Sequence, residues 1–303
     1  MATAGDSVRR ARPLLGTFVE IAVAGRARSD MNAAIDAAFE AIAKVHRLMS
    51  FQDGGSDVGR LNREAGARAV EVDAWTFEVL QASHELHRRS GGIFDISVAP
   101  VLHERGLLPR LDAEAAPSRS RMRTDGIELL SGRRVRFRSP RVRIDLGGSA
   151  KGFAVDRALD VLRALGMRSG LVNAGGDLAG FGPNCHPVHI RDPRFPQRSL
   201  ARVDLSNEAL ACSGGRHDPL RCSDAFDTAI IDPRTREPVR AVRGAAVRAP
   251  SSMLADGLTK VVMIAGEGAA ALLAEHGASA LFVLPAGDVR VTADWKDVVC
   301  LAA

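Results

Sequence analysis

Residues 144–157 read IDLGGSAKGFAVDR. An apolar strand end, an acid, two glycines and a lysine lead straight into helical spacing. Phe153, Ala158, Leu162 and Leu165 fall on one helical face, and Gly166 stands where a helix end calls for positive φ. The lysine stands out against the composition. Only Lys44, Lys151, Lys260 and Lys296 are lysines, and the other 37 of the 41 basic residues are arginine. A glycine pair at a helix start lets backbone N–H groups approach an anion, which the helix dipole also favours. Lys151, in the first turn, would add a compact positive charge. A tight strand-to-helix turn with a solvated lysine is the other reading. Neither GxxxxGK[ST] nor GxGxxG is present here, so this is not a P-loop or a Rossmann fingerprint.

Working outward, LGTFVEIAVAG (15–25) alternates as a strand, and residues 30–49 carry Ile35, Phe39, Ile42, Val45 and Leu48 at helical spacing behind Asp30 as N-cap. SFQDGGSDVGRLN (50–62) reads as a loop that turns helical near Asp57. Asp73 caps a helix that stops at Gly91-Gly92. Strands are predicted near 127–130, 134–138 and 141–146. Beyond the central helix, 169–182 reads strand, Gly-Gly-Asp turn, strand, with further strands near 186–191, 200–205, 208–212 and 226–231. Residues 244–266 run from a strand through Pro250 into a helix capped by Ser251 or Ser252. A helix near 267–276 and strands at 279–284 and 289–292 follow. Hairpin-like strand pairs mixed with long helices predict an α+β fold rather than a doubly wound sheet. Residues 1–12 read as an N-terminal tail, and the polar, proline-flanked stretch 109–123 as a surface connector.

With 303 residues, 46% hydrophobic and 25% charged, the chain can bury a sizeable core. The formal charge of +5 comes from scattered arginines, with 4% aromatic residues and no tyrosine, which argues against nucleic acid. No apolar run approaches the ~18 residues of a membrane span. MATAGDSVRRARPLLG has no apolar core of a secretory signal, and the four cysteines lack disulfide or zinc spacing, so a cytoplasmic location with free thiols is expected.

Other stretches carry chemistry-bearing residues. NAGGD (173–177) repeats the glycine–acid theme after a strand, where Asp177 could equally bond its own turn. GGIFDISVAP (91–100) sets Phe94 and Asp95 behind a glycine pair, with a capping role for Asp95 as the plain reading. In ADGLTK (255–260), Asp256 and Lys260 share a helix face at i and i+4. His186 and His189 of CHPVH, three apart in a strand, point to opposite faces and make a poor ligand pair. No hydrolase triad or nucleophile elbow is present.

Taken in order, LLGTFVEI, MSFQDGGSDVGRLN, GGIFDISVAPVL, IDLGGSAKGFAVDRAL, LVNAGGDL, ALACSGG, AIIDPRTREPV and APSSMLADGLTKVV resemble the ApbE-type FAD:protein FMN transferases across residues 13–292. The resemblance implies one T-fold-like α+β domain of two interwoven subdomains with a flavin cleft between them. It implies Mg²⁺-assisted cleavage of FAD, transfer of FMN to a Thr or Ser hydroxyl of an acceptor protein, and release of AMP. Carried over, Leu15, Ser50, Phe51, Gln52, Ile93, Phe94, Asp95, Asp145, Lys151, Ile230 and Ile231 would contact FAD. Gly148 and Asp256 would belong to the metal site; Thr259 is a further candidate ligand beside them, and Asp256, Lys260 and Thr228 are the candidates for the catalytic group.

Three departures from the family pattern bear on activity. Where the family reads Ser-His before IDP, this chain has Thr228-Ala229, losing a natural general base. Gln52 stands where tyrosine is usual. Lys260 replaces a threonine that ligates the metal, and an ammonium cannot ligate Mg²⁺. Lys260 then either stands in electrostatically for the ion or turns outward beside a shifted site of Asp256 and Thr259. A member that binds FAD, or hydrolyses it slowly, without protein flavinylation is the alternative function.

Overall fold

Residues 7–12, expected to be a tail, belong to strand β1 (Ser7–Leu14), which pairs antiparallel with β2 (Thr17–Ala24) along its whole length. Its arginines hide the strand signal. Arg10 and Arg12 reach Asp36 of helix α1 (Arg28–Met49) at 3.0 and 2.6 Å, and Arg12 lies 4.6 Å over the Phe39 ring. The computed structural model describes residues 7–109, 124–215, 228–292, 295 and 299–301. The predicted connector, apart from its first residue, and the first two residues of the predicted 226–231 strand lie outside them.

After α1 come α2 (Asp57–Glu64), β3 (Val70–Glu71), α3 (Ala74–Arg89) and α4 (Ala99–Glu104). The chain continues through β4 (Ile127–Leu130), β5 (Arg134–Phe137), α5 (Ala150–Ala164), β6 (Ser169–Ala174), β7 (Asp177–Phe181), β8 (His186–Arg191), β9 (Ser199–Leu205) and β10 (Ala209–Gly214). Then follow β11 (Ile231–Asp232), β12 (Glu237–Pro238), β13 (Gly244–Ala249), α6 (Ser252–Ala265), α7 (Ala270–Glu275), β14 (Ser279–Val283), β15 (Val289–Val291) and β16 (Val299–Leu301). The main sheet has eight strands in the order β1-β2-β6-β7-β10-β13-β14-β15, every pair antiparallel. This is the α+β architecture expected.

Strand alternation builds two cores. Ala209, Ala211 and Val247 face helices α1, α5 and α6, while Leu178, Leu210 and Leu281 face the small sheet β8-β9-β16 with Trp295. The small side chains on the helical face let α6 lie close to β10 and β13, with α5 on its other flank. Burial on nearly every side explains why α6 is so apolar. Contrary to the expectation that no stretch approaches a membrane span, Ser252–Glu275 has the length and composition of one; its most apolar window has a mean hydropathy of 1.4, and 56% of that window is buried in the protein.

Three local expectations change. The N-cap of α1 is Ala27, with Asp30 inside the first turn. Residues 141–146 form no strand, because their backbone is satisfied otherwise. The buried Asn62 side chain accepts from Ile144 N–H at 2.8 Å and donates to Ile144 C=O at 2.9 Å, and Asp145 N–H donates to Ile96 C=O at 2.9 Å. Of Thr228–Ile231, only Ile231 is in a strand.

Candidate functional site

The clamp on Ile144 aims the next residues, Asp145 to Ser149, at the start of α5. Gly147 N–H folds back to Asp145 Oδ1 at 3.2 Å. One turn later α5 presses against α6: Gly152 N–H donates to Asp256 Oδ2 at 3.2 Å, and a Cβ at Gly152 would stand 2.3 Å from Ser252 O. Only glycine permits that approach, which brings the AKG motif and the ADGLTK helix together. On the other side, β7 begins at Asp177 after Gly175 and Gly176, whose φ values of 69° and 104° suit glycine.

Four charged side chains meet there. Lys151 Nζ donates to Asp177 Oδ2 and lies 3.9 Å from Asp256 Oδ2, while Lys260 Nζ donates to Asp256 Oδ1. The Asp177 and Asp256 side chains are 1% and 0% exposed, so neither carboxylate could remain charged without these cations. Burial works against charge on Asp256, but Lys151 and Lys260 outweigh it and hold the carboxyl below the usual range. Burial and the neighbouring Asp256 push Asp177 up, against the pull of Lys151. Burial opposes charge on Lys151 too, yet Asp256 and Asp177 keep it above the ordinary lysine range. Burial raises Asp145 as well, opposed by Gly147 N–H and by Lys260. Asp177 Oδ1 is buried with no hydrogen-bond partner. Cys212, whose N–H donates to Gly176 C=O at 3.0 Å, has its thiol pushed up to about 12 by burial and by Asp177.

Phe94 joins this cluster: a Cβ on Gly148 would lie 3.5 Å from Phe94 Cε2 and 3.6 Å from Lys260 Cε. Asp95 does not. Its carboxylate, 0% exposed, caps Ser97 N–H at 2.8 Å and accepts from the Ser97 and Thr124 hydroxyls at 2.6 and 2.8 Å. The capping reading of Asp95 therefore holds, and its side chain is wholly buried in this structure. Leu15 N–H donates to His46 Nδ1 at 3.2 Å in the last turn of α1, and Ser50–Gln52 follow directly on that helix. Leu15, Ile93 and Ile230 are partly buried against the main core, Phe51 is buried within it, and Gln52 is exposed. Ile231 packs with Val101 and Leu102. Thr228 is 1% exposed and its hydroxyl accepts from Ile230 N–H at 3.1 Å, so it is turned inward. Asp177, Cys212 and Ser213 are additions to the expected site. The signals for Asp177 and Ser213 were the NAGGD turn and the ALACSGG strand.

The donor set does not fit Mg²⁺, which demands several oxygen ligands in near-octahedral geometry. Lys260 takes Asp256 Oδ1, and Gly152 N–H with Lys151 behind it takes Oδ2. Thr259 Oγ1 donates to Asp256 C=O at 2.7 Å and shares a hydrogen bond with Ser213 Oγ at 2.7 Å. Lys260 points inward, with 18% of its side chain exposed, and its stem passes the Gly148 backbone. Among the described residues no group of three or more His, Cys, Asp or Glu side chains is placed to hold a metal ion. His186 and His189 face separate partners, Phe181 C=O and Ser199 Oγ. A cavity of about 250 Å³ lies elsewhere, lined in part by Glu78, Asp156, Arg163 and Glu208.

The comparisons with known proteins agree with this architecture. The model of the ApbE family matches residues 15–282. The chain is 27% identical over 318 aligned residues to a FAD:protein FMN transferase of Treponema pallidum, covering 96% of this chain and 88% of that protein. A FAD:protein FMN transferase of Rhodobacter capsulatus is 32% identical over 220 residues, which is 67% of this chain but only 41% of the relative's length. The crystal structure of the ApbE protein of Thermotoga maritima superposes with a TM-score of 0.86 at 26% identity, covering 97% of this chain and 99% of that one. With the eight-stranded sheet, the α5–α6 contact and the paired glycine–acid turns all in place, this chain belongs to the ApbE family.

Proposed function

We propose that this chain binds FAD at the α5–α6–β7 cluster and transfers FMN from it to a Thr or Ser hydroxyl of an acceptor protein. The acceptor oxygen attacks the FMN phosphorus, the diphosphate P–O bond to AMP breaks, and the hydroxyl proton leaves to a base. The observation that carries the reading is the convergence of three motifs distant in sequence, DLGG-x-AKG, NAGGD and ADGLTK, on one buried charged site. Phosphoryl transfer needs positioning and charge neutralisation more than covalent help from the protein.

In this reading the N-terminus of α5 and Lys151 face the diphosphate, and Asp145 bonds the flavin nucleotide. Leu15, Ile93 and Ile230, at the edge of the core, supply apolar surface for the flavin ring, backed by Phe51 and Ile231. Phe94 walls the cluster, and Asp95 shapes that wall from within. A second reading, binding or slow hydrolysis of FAD without flavinylation, is favoured by one observation. Ala229 is exposed where the resemblance implies a histidine base, and Thr228 beside it is turned inward. Incubation with FAD and an acceptor protein separates the two. Transfer gives AMP together with flavin fluorescence on the denatured acceptor; AMP with an unlabelled acceptor supports the second reading, and protein that never binds flavin rejects both.

A further inference from the structure

We propose that Lys260 occupies the place of a divalent cation on Asp256, so that the site takes its flavin nucleotide without a divalent ion. This rests on the flavin reading above. A carboxylate with 0% exposure needs hydrogen-bond donors or a fixed positive partner, because desolvation of an unpaired charge is prohibitively costly, and among the described residues the only backbone N–H donor to the Asp256 carboxylate is that of Gly152. In this chain the partner is covalently attached. Lys260 lies one turn beyond Asp256 on α6, its stem runs beside Gly148, and its ammonium donates to Oδ1. Lys151 flanks the other oxygen at 3.9 Å.

A tethered ammonium faces Asp256 at an effective concentration in the millimolar range or above, comparable to or exceeding that of a free metal ion. A metal that displaced it would leave the ammonium beside a dication. The hydroxyl that could complete a coordination sphere, Thr259 Oγ1, is engaged by Ser213 and by its own helix turn. Asp256 is thus neutralised by lysines on both oxygens, and the ammonium hydrogens not spent on carboxylates remain for an anionic diphosphate.

The test has two independent readouts. Mn²⁺ titrated into the wild-type protein and followed by electron paramagnetic resonance should show an undiminished free-ion signal. Stoichiometric Mn²⁺ binding that Asp256→Asn abolishes would overturn the proposal. FAD affinity by equilibrium dialysis should differ by less than about twofold between EDTA and millimolar Mg²⁺, and a loss of about tenfold or more in EDTA overturns it. The variant Lys260→Thr restores an oxygen donor and should gain both Mn²⁺ binding and Mg²⁺-dependent FAD binding. If that variant does not fold, the wild-type Mn²⁺ titration decides alone. Absence of FAD binding under both conditions removes the flavin reading, while the Mn²⁺ result still judges Lys260.

Discussion

Lys151 donates to Asp177 Oδ2, tying the first turn of α5 to the first residue of β7 across 26 positions of sequence. Asp177 is 1% exposed and Lys151 is partly exposed, so the pair sits where the core meets the site. Removing the cation leaves Asp177 unpaired in the core and takes one of two cations from Asp256. Lys151→Met should therefore cost about 3 kcal/mol in urea unfolding, the low end for breaking a buried pair. The double variant with Asp177→Asn should lose less than Lys151→Met alone. A double-variant loss equal to the sum of the two single-variant losses would mean the pair is not coupled.

Gly152→Ala tests the helix contact that assembles the site. The added methyl would meet the Ser252 carbonyl at 2.3 Å, and its three nearest neighbours are all backbone atoms of Ser252 and Met253, with no flexible side chain to yield. Overpacking of this kind costs about 1–3 kcal/mol. The same shift withdraws Gly152 N–H from Asp256, so FAD affinity should fall along with thermal stability. Wild-type stability and affinity in the variant would refute the close contact.

Asp156 gives a pH dependence of definite sign. Burial pushes its carboxyl from 3.8 up to about 6, against the N–H groups of Met253 and Ser252 and the charge of Arg157. The folded protein then holds this proton more tightly than the unfolded chain. Its contribution to stability is full below the unfolded value and is lost as pH rises from about 4 through about 6. Asp156→Asn keeps one acceptor at the start of α6 and removes the titration. The difference between wild-type and variant unfolding free energies should shift in favour of the variant across that window. Asp177, also pushed up, acts alike in both proteins and cancels. A difference independent of pH would reject the raised carboxyl.

Ala229→His restores a base at an exposed position, where a new side chain displaces nothing from the core. If proton removal limits transfer, flavinylation of an acceptor should rise by at least about tenfold, with FAD affinity unchanged. An unchanged transfer rate, read by in-gel flavin fluorescence, would show that another step or base limits the reaction.

Much of this protein acts over a few residues, and that part the sequence determines by itself. Asp73 caps α3 through Trp75 N–H as its position before an apolar run implies, and of the two serines offered for α6 it is Ser251 that caps, through Leu254 N–H. The alternation of 169–182 around a Gly-Gly-Asp turn is the β6–β7 hairpin, and the α+β class follows from such pairs among long helices. Other features were settled only by partners distant in the chain. The arginine-rich β1 is a strand because Asp36 and Phe39 of α1 hold its side chains. Residues 141–146 are not a strand because one buried amide, Asn62, satisfies Ile144 in place of a neighbouring strand. Asp95 turns inward to Ser97 and Thr124, and Lys260 turns inward to Asp256, choices that spacing leaves open. Periodicity and caps report local backbone preference, whereas the direction of a charged side chain is fixed by which oppositely charged or polar group packing has already buried beside it.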